Sequence, residues 1–194
     1  MNYLAHLFLA EKTAESRLGN LLGDFVKGNL ESWQLHYSPE IIKGIKIHRQ
    51  VDQFTDEHRI YIRSKRRISP INKVYSGIII DIFYDHFLAK NWSFFSEENL
   101  QDFIKNIYGI LKDNQPLLPV KLQQVLPRLM TEDWLNSYQT IEGIYLTLLR
   151  LSRRLKRENN LALALHDLVN HYQELEADFL TFFPEAIEYV ERIQ

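Results

Sequence analysis

Apolar residues recur at spacings of three and four along most of the chain, the period of helices that bury one face. No clean alternation persists, and no Asn-Gly or Asp-Gly hairpin signal occurs. The pattern predicts about eight helices, near residues 3–10, 16–28, 39–57, 71–90, 97–112, 120–136, 138–157 and 160–192. Ser38-Pro39-Glu40 supplies an N-cap, a proline at the first helical position and an early acid. Ser96-Glu97-Glu98 and Thr131-Glu132-Asp133 suggest two further starts, and Asp113–Pro119 a break. Leu161, Leu165, Leu168, Tyr172, Leu175, Phe179 and Phe182 form one apolar stripe, read as core, with Pro184 expected to kink or restart that helix.

The expected fold is therefore all-α, a single-domain helical bundle over residues 1–194, since no linker, repeat or low-complexity tract divides the chain. Cysteine is absent, which excludes disulfide frameworks, thiolate-bound metals and thiol nucleophiles. With 23 Lys+Arg against 25 Asp+Glu, the chain is not a generic polyanion binder, and no nucleic-acid module is visible. MNYLAHLFLA is too short to span a bilayer and lacks the layout of a signal peptide, so a cytoplasmic protein is the default expectation.

Polar residues interrupt the apolar pattern at informative places. At 100° per residue, Ile41, Ile45, His48, Asp52 and Asp56 fall within about 80° of one another on the helix 39–57. An apolar stripe thus turns into a row of His, Asp and Asp, beside a second apolar face of Ile47, Val51 and Phe54. The segment IIIDIFYDHFL (78–88) is apolar on nearly every side, yet carries Asp81, Asp85 and His86. His6 and Asp24 also sit in apolar settings. Buried carboxylates are costly unless they are paired or bind a cation. The three ionisable groups of 78–88 suggest either a buried salt-bridge network or metal ligation; a solvated polar face is the alternative for the row on 39–57, and satisfied core residues for His6 and Asp24 taken singly.

Imidazole and carboxylate without thiolate suit Mn²⁺, Mg²⁺, Fe²⁺ or Zn²⁺. Such a centre can activate water and clamp a phosphoryl oxygen, the chemistry of phosphoester hydrolysis. No nucleophile elbow, Walker A sequence or GxGxxG run competes with that reading. Residues 43–73 carry nine Lys/Arg against three acids, a net +6 beside the His/Asp row that suits an acidic partner. A second basic run, RLSRRLKRE (150–158), reads as an ordinary exposed helix face.

Five blocks in order give the chain a family likeness: NYLAHLFLA (2–10), GNLLGDFVKG (19–28), GIKIHRQVDQFTD (44–56), DIFYDHFLAKNW (81–92) and HYQELEADFLTFFP (171–184). In these the sequence resembles the acyl carrier protein phosphodiesterase family, also called acyl carrier protein hydrolase. The resemblance implies an all-helical fold related to the HD-type phosphohydrolases and a divalent metal, Mn²⁺ foremost. It implies hydrolysis of the phosphodiester between 4′-phosphopantetheine and a serine of holo-acyl carrier protein, releasing apo-protein and free 4′-phosphopantetheine. On this likeness the metal-site candidates are His6, Asp24, His48, Asp52, Asp85 and His86. Asp24, Asp52, Asp56 and Asp81 are the acidic groups expected to act on ligands or on the attacking water. The adjacent pair reads Asp85-His86, the reverse of the plain HD order, so HD ligands do not transfer one by one. Arg49, Arg63, Arg66 and Arg67 are the expected dock for the acidic carrier protein. The alternatives are an HD-like hydrolase of nucleotides or other small phosphodiesters, a catalytically silent binding protein, and a structural protein whose buried acids pair with arginine.

Overall fold

The computed structural model describes residues 1–155 and 159–194. Twelve α-helices and no strands are found among the described residues: α1 (Tyr3–Leu9), α2 (Ala14–Leu22), α3 (Pro39–Glu57), α4 (Arg59–Arg66), α5 (Ser76–Lys90), α6 (Trp92–Phe95), α7 (Leu100–Asp113), α8 (Val120–Thr131), α9 (Trp134–Ser137), α10 (Ile141–Ser152), α11 (Ala164–Asn170) and α12 (Tyr172–Ile193). The all-α expectation holds, with more and shorter helices than the eight expected. No helix among the described residues is long and apolar enough to cross a membrane.

α3 begins and ends where the sequence predicts. Ser38 Oγ accepts from the Ile41 amide, and Pro39 opens the first turn without an amide to satisfy. Elsewhere local chemistry shortens the helices. α2 stops at Leu22, before a turn that carries Asp24. Asp133 adopts the left-handed conformation (φ 46°), a geometry its short side chain tolerates, and splits α8 from α9. The start expected at Ser96 lies at Asn99, whose side chain accepts from the Gln101 amide. The segment read as helix from 71 begins as a 3₁₀ turn, Pro70–Tyr75. α4 went unread. The end of the predicted helix 138–157, and with it part of the basic run 150–158, lies outside the described residues. Pro184 neither breaks nor restarts α12: buried Phe179, Phe182 and Phe183 around it outweigh one missing amide hydrogen bond.

α5 lies at the centre. Ile79, Ile80, Phe83, Phe87 and Leu88 are wholly buried, and α1, α4, α10 and α12 pack around it. One contiguous hydrophobic cluster runs from Met1 to Val190 and includes the stripe read from 161 to 182. α2 and α3 pack backbone against backbone. A Cβ on Gly19 would lie 2.3 Å from the Ile41 carbonyl oxygen and 2.7 Å from Gly44 Cα. No side chain separates the two backbones there, so glycine is required on both sides.

Candidate metal centre

That helix contact sets the site's first fixed point. Asn20 O lies 2.6 Å from His48 Nδ1, and because a carbonyl only accepts, Nδ1 donates. The His48 Nε2 edge is thereby aimed at the carboxylates, 3.1 Å from Asp52 Oδ2 and 3.7 Å from Asp24 Oδ1. A ring held through its second nitrogen is the usual preparation of a metal-binding histidine. His6, from α1, stacks on His48 with ring centroids 3.8 Å apart, and its Nε2 lies 3.1 Å from Asp52 Oδ1. The ligand atoms of His6, His48 and Asp52 all lie within 4.8 Å of one another.

The charge balance of this cluster is uneven. Burial and the neighbouring His48 push His6 down to about 4, so its ring is neutral near pH 7. Burial opposes charge on His48 too, but hydrogen bonds to Asp24 and Asp52 outweigh it and push it up to about 9. The stacked pair therefore carries one positive charge, as two like charges in contact would repel. Burial works against the Asp52 carboxylate, yet His48 and His6 draw it well below the usual range; His48 does the same for Asp24. Asp81 accepts from Tyr61 Oη at 2.8 Å and lies 3.2 Å from the Met1 amine. Burial raises Asp81. Burial opposes charge on the Met1 amine, but Asp81 and Asp52 push it up to about 10. Three carboxylates against one imidazolium and one amine leave the cluster short of positive charge. A neutral imidazole, an oriented one and under-compensated carboxylates fit a divalent cation.

The structure gathers His6, Asp24, His48 and Asp52, with Asp81 beside them, and places the other predicted residues elsewhere. Asp85 is fully buried and caps α1, accepting from the Leu4 and Ala5 amides at 2.8 and 3.1 Å. Burial raises it to about 7, against those two hydrogen bonds. His86 is spent on Tyr138 O (2.7 Å) and Tyr172 Oη (2.8 Å). Both positions satisfy buried backbone or hydroxyl groups, which requires the same residue types as ligation. Asp56, one turn beyond Asp52, has already rotated into solvent, 3.6 Å from Lys65.

Three of the four expected docking arginines have internal partners. Arg49 donates to the Val26 and Gly28 carbonyls and ties down the loop that follows Asp24. Arg63 and Arg67 converge on buried Asp178 of α12, which also accepts from Ser64 Oγ at 2.8 Å. Arg63 nonetheless keeps half its side chain exposed. Arg66 is exposed and makes no ion pair among the described residues.

A cavity of about 370 Å³ opens beside the centre. Asp24 and Asp81 line it from the cluster, and Arg150, Arg154 and Trp134 from α10, the turn after it, and α9. The two arginines lie over the Trp134 ring, 4.5 and 5.6 Å from its centroid. Sequence reading passed over them because a basic run looks the same whether it faces bulk water or a cavity mouth.

An all-α protein with a candidate His/Asp metal centre beside a cavity is the class these features define. The chain belongs to the acyl carrier protein phosphodiesterase family, whose model matches residues 1–186. It is 37% identical over 185 residues to the acyl carrier protein phosphodiesterase of Yersinia enterocolitica, covering 95% of this chain and 94% of that one. The protein of the same name from Yersinia pestis is 36% identical over 202 residues, with both chains fully covered. That of Photorhabdus laumondii is 34% identical over 192 residues, covering 98% and 96%. No solved structure matches the chain, so the HD-type relation rests on the sequence resemblance alone.

Proposed function

We propose that this protein hydrolyses the phosphodiester joining 4′-phosphopantetheine to a serine of holo-acyl carrier protein. The observation that carries this reading is the convergence of His6, His48 and Asp52, with Asp24 3.7 Å from His48 and lining the adjacent cavity, in a member of this family. These four residues would hold a divalent cation, Mn²⁺ foremost and Mg²⁺, Fe²⁺ or Zn²⁺ as alternatives. Once bound, it would supply Lewis-acid polarisation of the phosphoryl oxygens and an acidified water.

The chain's own residues do the rest. Asn20 holds His48 in orientation, and Asp85 holds the α1 backbone that carries His6. Asp81 uses Oδ1 for Tyr61 and the Met1 amine, leaving Oδ2 to take a proton from the water that attacks phosphorus. The serine oxygen leaves on the opposite side of phosphorus and takes a proton from solvent to become the hydroxyl of the apo-protein. Arg66, with the exposed lysines of the +6 segment, provides the basic surface for an acidic carrier protein; Arg63 contributes its exposed half.

The test is mass spectrometry of holo-acyl carrier protein incubated with the protein and Mn²⁺, beside an EDTA control. Loss of the 4′-phosphopantetheine mass only with metal is the expected result. Intact holo-protein with every metal tried, beside cleavage of nucleotide diesters, would replace the carrier-protein reading with the small-diester one.

A further inference from the structure

The cavity beside the centre does not end at Trp134. A second one, about 340 Å³, shares Tyr3, Phe25, Trp134 and Arg154 with the first and continues between α2 and α8. Leu21, Leu122, Val125 and Leu129 make it mainly apolar. The first cavity is polar where Asp24 and Asp81 meet it and apolar at Ile78, Ile82 and Leu151. Each volume is near the low end for small-molecule sites, about 300–1,000 Å³. Two such spaces in series suit a long, thin ligand better than a compact one.

Arg154 stands at their junction. Arg150, its neighbour one turn earlier, is committed to Glu132 (3.1 Å) and Thr147 (3.0 Å). Arg154 makes no ion pair among the described residues; it rests over Trp134 and beside the Tyr3 hydroxyl. Its guanidinium thus lines the same cavity as Asp24 and Asp81, with no ion-pair partner among the described residues. A ligand that is anionic near the centre and chain-like beyond it would meet every one of these features.

We propose that the two cavities form a continuous subsite for the arm of the substrate, in which Arg154 faces the phosphate and the α2–α8 cavity takes the thiol end of 4′-phosphopantetheine. The assignment rests on the proposed reaction for the identity of the arm, but binding tests it without turnover. Arg154 acts by holding the ligand and takes no part in proton transfer.

The experiment is calorimetric titration of the full-length protein, in Mn²⁺, with free 4′-phosphopantetheine and separately with inorganic phosphate. Arg154→Ala, at an exposed position that leaves the core untouched, should weaken both ligands by about tenfold to a hundredfold, the worth of a charge-assisted hydrogen bond. Arg154→Lys should restore part of that loss. Val125→Phe, which fills the second cavity, should weaken 4′-phosphopantetheine by at least about tenfold and leave phosphate unchanged. Failure of the wild-type protein to bind 4′-phosphopantetheine more tightly than phosphate, or equal binding by both variants and wild type, would overturn the subsite. Binding as expected together with intact holo-carrier protein would instead overturn the proposed reaction and leave the subsite standing.

Discussion

Gly23→Ala is the sharpest probe of how the centre is built. Gly23 closes α2 at φ −52°, ψ −35°, ordinary helical values, so alanine costs nothing through the backbone. Its methyl group, however, would lie 2.2 Å from Cγ and Cδ2 of His48, where ordinary contact is 3.4–4 Å. The imidazole must retreat by roughly 1 Å, or the end of α2 must move by as much. One face of that ring is closed by His6, with centroids 3.8 Å apart, and its Nδ1 is tethered to Asn20 at 2.6 Å. Overpacking costs about 1–3 kcal/mol and a lost buried hydrogen bond a similar amount; the two overlap, giving about 2–4 kcal/mol in all. For a chain of this size that lowers Tm by roughly 5–15 °C. Loss of the orienting hydrogen bond should also weaken Mn²⁺ binding by about 10–100-fold. Thermal unfolding followed by far-UV circular dichroism without metal, and calorimetric Mn²⁺ titration, read the two effects separately. A variant that melts within about 1 °C of wild type and binds Mn²⁺ equally would refute the placement of His48 against Gly23.

Gly109 provides the opposite case: a Cβ there meets nothing within 4 Å in the middle of α7, so Gly109→Ala should stabilise by up to about 1 kcal/mol in urea unfolding. Asp178→Ala strands Arg63, Arg67 and Ser64 at the α4–α12 contact. Because Arg63 is half exposed, the loss should fall near the low end for a broken buried pair, about 3 kcal/mol, measurable in the same unfolding assay. Mn²⁺ at a hundred times its Kd should stabilise the wild-type protein by about 2.7 kcal/mol. His6→Ala and His48→Ala should lose most of that gain, and a metal-induced rise in Tm undiminished in both would place the cation elsewhere.

α3 was legible from end to end because its start carries three concordant signals and its polar row interrupts an otherwise apolar face. His48 and Asp52 on that row, with His6 and Asp24, do come together. The break at Gly23 was not legible, since a backbone turn within a periodic run leaves the period intact; that at Asp133 was marked by the start signal Thr131-Glu132-Asp133, although the period ran on across it to 136. Asp85 and His86 show a second ambiguity: a buried acid that caps a helix and one that holds a cation occupy the same apolar surroundings. Only the third dimension separates the two, here by putting Leu4 and Ala5 amides against the carboxylate. Asp178 did leave a sequence signal, falling three residues after Leu175 and one before Phe179 on the core stripe. Its partners Arg63 and Arg67 lie more than a hundred residues away, so the pairing itself was invisible.

The candidate donors His6, Asp24, His48 and Asp52, and Asp81 beside them, all come from the first 81 residues, whereas Trp134, Arg150 and Arg154 come from the second half of the chain. The two contributions line one cavity and touch where α10 packs on α5. Apart from that contact, selection can act on them as nearly separate traits. Diversifying residues 121–154 would reshape what the cavity admits while the donor set stays in place, and the first half could change its preferred cation without relearning the ligand. A library confined to either stretch would explore one of these properties at a time.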